Sequence, residues 1–352
     1  MSATKNKQYG TVDIVKFFCA LLIVCAHYIS EYTEGRISAL IEYAPSLYVI
    51  VVPFFFVCSG FLLFSKLQTV EDGKGGIVLN YIKRNLVMYA GWSIIYFVFK
   101  LLSWFRYGCS AREILQYILN AIFYSTYSTI WFLPALCVGV WLTWKFIENE
   151  RYKFLIATAG ILYLVGTLGV SYSFLIKGTF LENVLEVYNF VFVSTRNGLF
   201  NGFPFVALGA MVAKNITNIQ KRSIKLDSVI TVVSGCGFVL EALIIKLKFD
   251  AMNVNTLLLL IPFSYFFFSV LVRIRFDTNG ITIWMRKMST TVFLCQRIYL
   301  TAIPELFKDG IISSVLLGNP YIGLAVLLFL VLITAELILI AGKKNSLVAK
   351  LC

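Results

Sequence analysis

The chain is poor in the residues most soluble enzymes work with. Among its 352 residues there is one histidine, His27, and charged residues make up 14%. Soluble domains carry about a quarter charged residues, so an ordinary hydrated surface is excluded. No Walker-type phosphate loop, GxGxxG or GxSxG occurs, which removes the common nucleotide-binding motifs and the nucleophile-elbow hydrolases. The eight cysteines form no CxxC pair. With a single histidine they leave no ligand set for a zinc centre, and they read as small apolar packing residues. No low-complexity tract or long polar stretch marks a separate soluble domain, so residues 1–352 are expected to form one membrane domain. The first apolar run holds Asp13 and Lys16 and is followed by no small-residue cleavage site, which argues against a cleaved leader.

What is present is apolar sequence. Hydrophobic residues make up 59% of the chain, and runs near twenty residues recur along it. The expected fold class is all-α, a polytopic integral membrane protein with about ten transmembrane helices. The spans are expected near 12–31, 44–65, 83–103, 131–147, 153–170, 199–214, 227–246, 254–273, 288–306 and 320–342. Between them, REILQYILNAIFY (112–124) and LENVLEVYNFVFV (181–193) are amphipathic and read as interfacial or re-entrant helices. Most of the 31 Lys and Arg residues fall in the loops of one side, which places both termini in the cytoplasm. The net charge of +13 then reflects topology and attraction to anionic membrane lipids, with no need for a nucleic-acid partner.

Ionisable groups inside apolar runs are expensive and mark function. The run TVDIVKFFCALLIVCAHYI contains three: Asp13, Lys16 and His27. At about 100° per residue, His27 returns to within roughly 20° of Lys16 and roughly 40° of Asp13, about 16 Å beyond Lys16. The three share one stripe, which should face protein or a wet cavity. Histidine is also the side chain best suited to proton transfer near neutral pH. Asp13 either neutralises Lys16 or orients a polar chain toward His27. Arg297 and Glu336, both in apolar runs, are expected to pair with each other.

Further patterns follow in order: PFFFVCSGFLLF (53–64), YIKRNLVMYAGWSIIYF (81–97), WFLPAL (131–136), RNGLFNGFPFVALGAMV (196–212) and RKMSTTVFLCQRIYL (286–300). With VDIVKFFCALLIVCAH, this set resembles the acyltransferase-3 family of integral membrane acyltransferases over almost the whole chain. The resemblance implies transfer of an acyl group, usually acetyl, from cytoplasmic acetyl-CoA or another acyl-CoA to a hydroxyl of an extracytoplasmic or lipid-linked glycan. His27 matches the family's catalytic histidine, and Lys16 the basic position eleven residues earlier. Arg84 matches a basic residue at the start of the third span, and Ser59 and Gly60 match the family's SG pair. Two departures stand out. Met88 precedes Tyr89 where many relatives have proline. Gln296 stands where many have histidine, and glutamine cannot shuttle a proton.

On that resemblance His27 is the general base or a transient acyl acceptor, with Asp13 as the second catalytic candidate. Lys16, Lys83 and Arg84 are candidates for the phosphates of CoA, which suit cations; topology signal is the plainer role for Lys83 and Arg84. Ser59 is placed to bond His27 or a thioester oxygen, or to pack helices with Gly60. Trp131 is either a platform for a sugar ring or part of an interfacial aromatic belt. Arg196 and Asn197 either bind the acceptor or anchor the interface. A transporter or flippase for an envelope lipid or glycan is the rival reading, and a catalytically inactive acyl-binding relative a third.

Overall fold

The computed structural model describes residues 9–33, 48–127, 129–249 and 254–352. Every described element is helical. In order they are α1 Gly10–Tyr32, α2 Val51–Leu67, α3 Lys74–Tyr107, α4 Ala111–Phe123, α5 Phe132–Glu148, α6 Tyr152–Leu168, α7 Phe180–Phe192 and α8 Phe203–Lys214. Then follow α9 Ile216–Lys221, α10 Ile224–Phe249, α11 Leu260–Leu271, α12 Gly280–Cys295, α13 Ile303–Leu306, α14 Ile311–Leu317 and α15 Pro320–Lys344. An apolar run has no water to satisfy its backbone, so it closes its hydrogen bonds within itself as a helix.

Each expected span contains a helix, but the lengths differ. Among the described residues α1, α3, α10 and α15 are long and apolar enough to cross a membrane, while α2, α6, the stretch Gly198–Lys214 and α11 are shorter apolar helices. α3 runs for 34 residues, about 51 Å at 1.5 Å per residue, well beyond the roughly 30 Å of a bilayer core. The expected ninth span is broken: α12 ends at Cys295, a π-helical turn covers Ile298–Ala302, and α13 resumes beyond it. The expected second span begins at 44, and its first residues, 44–47, lie outside the described residues.

Outward faces remain apolar. Ile94, Val232 and Phe329 are 65%, 64% and 63% exposed, tolerable where the surroundings are as apolar as the side chains. The two amphipathic segments are helices as expected. α4 opens with a capping box in which Ser110 and Glu113 satisfy each other's backbone N–H. It buries none of its residues, and α7 buries only Leu185. The two touch through Phe123 and Phe192.

Two contacts organise the interior. α2 packs along α8, and α1 along α12. The first depends on glycine: a Cβ on Gly60 would meet the Val206 carbonyl, and one on Gly209 the Val57 carbonyl, both far inside van der Waals contact. Helix backbones approach this closely only where side chains are absent.

Two charges in apolar runs are placed differently from expectation. Arg297 does not pair with Glu336. Its Nη1 donates to Glu31 Oε1 at 2.5 Å, while Glu336 accepts from Trp284 Nε1 at 2.7 Å. Glu31 stands at the far end of α1, one turn beyond His27, nearer to Arg297 than any residue of α15 that carries charge. Glu241, also in an apolar run, accepts from the Leu258 and Leu259 N–H groups at 2.6 and 3.0 Å and from the Tyr172 hydroxyl. It satisfies backbone donors at the start of α11 that would otherwise lack partners.

Candidate functional site

The polar stripe of α1 faces protein, and the hydrogen-bond partners of Asp13 and His27 come from α12 or just beyond. Near the start of α1, Arg286 grips Asp13 with two hydrogen bonds, Nε to Oδ1 at 2.8 Å and Nη2 to Oδ2 at 2.6 Å. Near its end, His27 Nδ1 lies 2.9 Å from Gln296 Oε1. The numbers rise together along both helices, so α1 and α12 run parallel. Asp13 therefore does not neutralise Lys16; the bidentate fork of an arginine takes the carboxylate instead.

The hydrogen bonds of Gln296 set the protonation of His27. Gln296 is fully buried, and its Nε2 donates to the Phe293 carbonyl at 3.0 Å. A carbonyl only accepts, so the amide nitrogen must face Phe293 and the amide oxygen must face His27. That oxygen accepts from Nδ1–H, which leaves the lone pair of the neutral ring on Nε2. Nε2 has no protein partner among the described residues. This is the arrangement a general base requires: one ring nitrogen anchored, the other free.

His27 opens onto a cavity of about 450 Å³. Its wall includes Glu31, Tyr124, Thr129, Trp131, Arg196, Asn201 and Arg297. Trp131 is 3% exposed, so it belongs to the protein wall, not an outward aromatic belt. Its ring stacks on Tyr124 at 6.1 Å, and the Arg196 guanidinium stands 5.1 Å above it. Arg196 and Arg297 both lie within electrostatic range of His27.

Three of the expected site residues, His27, Trp131 and Arg196, thus meet around one cavity. Asn197 does not join them. Its Oδ1 accepts from the Leu199 and Phe200 N–H groups, and its Nδ2 donates to Tyr188 and to the Ser194 carbonyl. It caps the turn that leads into α8, a local task asparagine does well. Ser59 is also away from His27, with its hydroxyl against Tyr81. Lys16, like Asp13 and Arg286, lies within electrostatic range of Cys58 of α2. Lys83 and Arg84 are exposed on α3, with the Arg84 guanidinium 5.7 Å over the Tyr81 ring. A second cavity, of about 540 Å³, lies beyond the start of α1 between Tyr9, Gln220, Arg273, Arg275 and Asp277.

Sequence reasoning missed Glu31, Tyr124, Thr129 and Asn201. Glu31 carried a signal, since it lies one turn after His27 and so shares its face. The others carried none, because their neighbours in space are remote in sequence. If Gln296 orients His27, Gln296→Leu should lower turnover by roughly ten- to a hundredfold, the scale on which orienting partners of histidine act. Gln296→Glu, which keeps an acceptor at Nδ1, should retain more activity. Equal losses in the two variants would count against the orienting role.

Residues 9–340 match the family model described as an acyltransferase domain. An amino-acid racemase of Enterococcus faecalis is 28% identical over 277 residues, which cover 77% of this chain and 37% of that protein. A serine/alanine racemase of Enterococcus gallinarum is 26% identical over 274 residues, 76% of this chain and 37% of its own length. The chain therefore spans little more than a third of the length of these curated relatives. No solved structure matches it.

Proposed function

Because this chain belongs to the acyltransferase-3 family, we propose that it moves an acetyl group from cytoplasmic acetyl-CoA to a hydroxyl of an extracytoplasmic or lipid-linked glycan. The observation that carries this reading is His27, with Nδ1 held by Gln296 and Nε2 free at the wall of a cavity. In the reaction the acceptor hydroxyl gives its proton to Nε2 as its oxygen attacks the thioester carbonyl. The imidazolium is stabilised by the hydrogen bond from Nδ1–H to Gln296. As the tetrahedral intermediate collapses, the C–S bond breaks, and the proton on Nε2 passes to the CoA thiolate. In the covalent variant Nε2 carries the acyl group between the two substrates.

Lys16, Lys83 and Arg84 serve the CoA phosphates at the cytoplasmic end. Asp13 holds α1 against α12 through Arg286 and acts as a positioning residue. Trp131 and Arg196 serve the acceptor. The chain crosses the membrane about ten times as one module, with both termini in the cytoplasm. The parallel course of α1 and α12 supports this count, since the first and ninth of ten spans must run in the same direction.

Transfer of label from acetyl-CoA to glycan, in membranes containing the protein, tests the reaction. On the donor side, Arg84→Glu should raise KM for acetyl-CoA by about tenfold or more with little change in kcat, since it reverses a charge facing phosphate. An unchanged KM would remove Arg84 from the donor site.

The names of the relatives favour a second reading. A serine/alanine racemase acts on serine and alanine, and a membrane module joined to such an enzyme would carry an amino acid across the bilayer. Uptake of labelled serine into proteoliposomes without acyl-CoA, and no acetyl transfer under any acceptor, would establish that reading over the first.

A further inference from the structure

We propose that the molecule entering the His27 cavity carries an anion, a carboxylate or a phosphate, together with hydroxyl groups, and that Arg196 holds the anion. Naming that molecule the acyl acceptor rests on the acyl-transfer reading; the anion site itself does not.

Among the described residues three charged groups line the cavity: Glu31, Arg196 and Arg297. Arg297 pairs with Glu31 through Nη1, while its Nε has no partner among those residues. Arg196 has no carboxylate partner among the described residues, and only its backbone N–H is hydrogen-bonded, to Ser194 Oγ at 3.0 Å. One face of its guanidinium lies on Trp131. An aromatic face is a weak partner for a cation in apolar surroundings, where an unpaired charge is strongly disfavoured. A ring contact of this kind uses none of the N–H donors of the guanidinium, and none has a hydrogen-bond partner among the described residues. That fork fits a carboxylate or phosphate and no neutral group as well.

The same wall holds three buried polar atoms without partners among the described residues, Thr129 Oγ1, Asn201 Oδ1 and Arg297 Nε. Thr129 and Asn201 are 3% exposed and Arg297 8%. Buried polar atoms in folded proteins are nearly always satisfied, so these three point to a ligand. Asn201 Oδ1 can only accept, and therefore requires a donor such as a hydroxyl. Thr129 can give or take a hydrogen bond. A free cation, an unmet acceptor and an unmet hydroxyl around one cavity describe a hydroxylated anion: a sugar acid, or a polyol or sugar phosphate. A neutral saccharide would satisfy the three polar atoms and leave Arg196 unpaired.

The test is equilibrium binding to the purified full chain in detergent, without acyl-CoA. N-acetylmuramic acid is compared with N-acetylglucosamine, and glycerol 3-phosphate with glycerol. The wild-type protein should bind at least one anionic probe about tenfold or more tightly than its neutral partner, the scale of a charge-assisted pair. The pair that shows the preference identifies the source as carboxylate or phosphate. Arg196→Gln should erase the preference with its melting temperature unchanged, and Arg196→Lys should keep part of it. Equal affinity within both pairs, including no binding to any probe, overturns the proposal. So does a preference that survives in Arg196→Gln. An anion preference without acetyl transfer would leave this site standing and remove the enzyme reading. Transfer to a neutral glycan without any anion preference would do the reverse.

Discussion

On the proposed reaction, His27→Ala should abolish acetyl transfer and leave a folded protein. The expected loss is at least a hundredfold, since positioned general bases supply roughly 10² to 10⁴ in rate, and this chain has no second histidine to take over. Folding should survive because His27 lines a cavity and makes one side-chain hydrogen bond, to Gln296. Its removal leaves Gln296 Oε1 facing that cavity, where water can reach it. The α1–α12 contact is retained through Asp13 and Arg286. The measurement is label transfer from acetyl-CoA in matched membranes, with gel filtration and thermal unfolding of both proteins. Residual transfer above about a tenth of wild type would contradict a general base of that strength. A covalent role would show as labelled wild-type protein after quenching with donor alone, and as no label in the variant.

The second large effect concerns stability. Gly209→Ala should destabilise the protein by at least about 2 kcal/mol, the range of overpacking in a filled interior. The added methyl would collide with the Val57 carbonyl and the Phe61 backbone nitrogen across the α2–α8 contact. Neither can move aside as a side-chain tip would, because both belong to a helix backbone, so the helices must separate. Gly160→Ala is the matched control. It lies within α6, where a new Cβ meets nothing within 4 Å, and replacing a helix-interior glycine in open space should stabilise by about 0.5–1 kcal/mol. Thermal unfolding in detergent should therefore move in opposite directions for one chemical change. A Gly209→Ala protein that melts with wild type would show that α2 and α8 are not in such close contact.

The two substitutions also separate what was legible in the chain from what was not. The stripe of Asp13, Lys16 and His27 was readable because helical periodicity is local: 100° per residue decides which side chains share a face. The amphipathic helix at Ala111–Phe123 was readable for the same reason, its capping box lying within four residues. The task of Asn197 is not legible in the same way, because a cap and a ligand-binding amide look alike until the backbone around them is known. The partner of Arg297 is hidden for another reason, since the structure pairs it with Glu31 and not with Glu336. Arg297 and Glu336 are both charges in apolar runs, and nothing local says which of several carboxylates lies nearest in space.

The helical class, the apolar segments, the family and the position of the one histidine are carried by composition, periodicity and ordered motifs, all of which are local or ordered along the chain. Which groups meet His27 is instead a matter of packing. Gln296 lies 269 positions away, and Trp131, Arg196 and Asn201 come from other segments again. Contacts of that separation are set by how helices pack, through surfaces such as the Gly60–Gly209 crossing. The tautomer of His27, the pairing of Arg297 with Glu31 and the seat of Arg196 over Trp131 all follow from that packing and from nothing nearer in the chain.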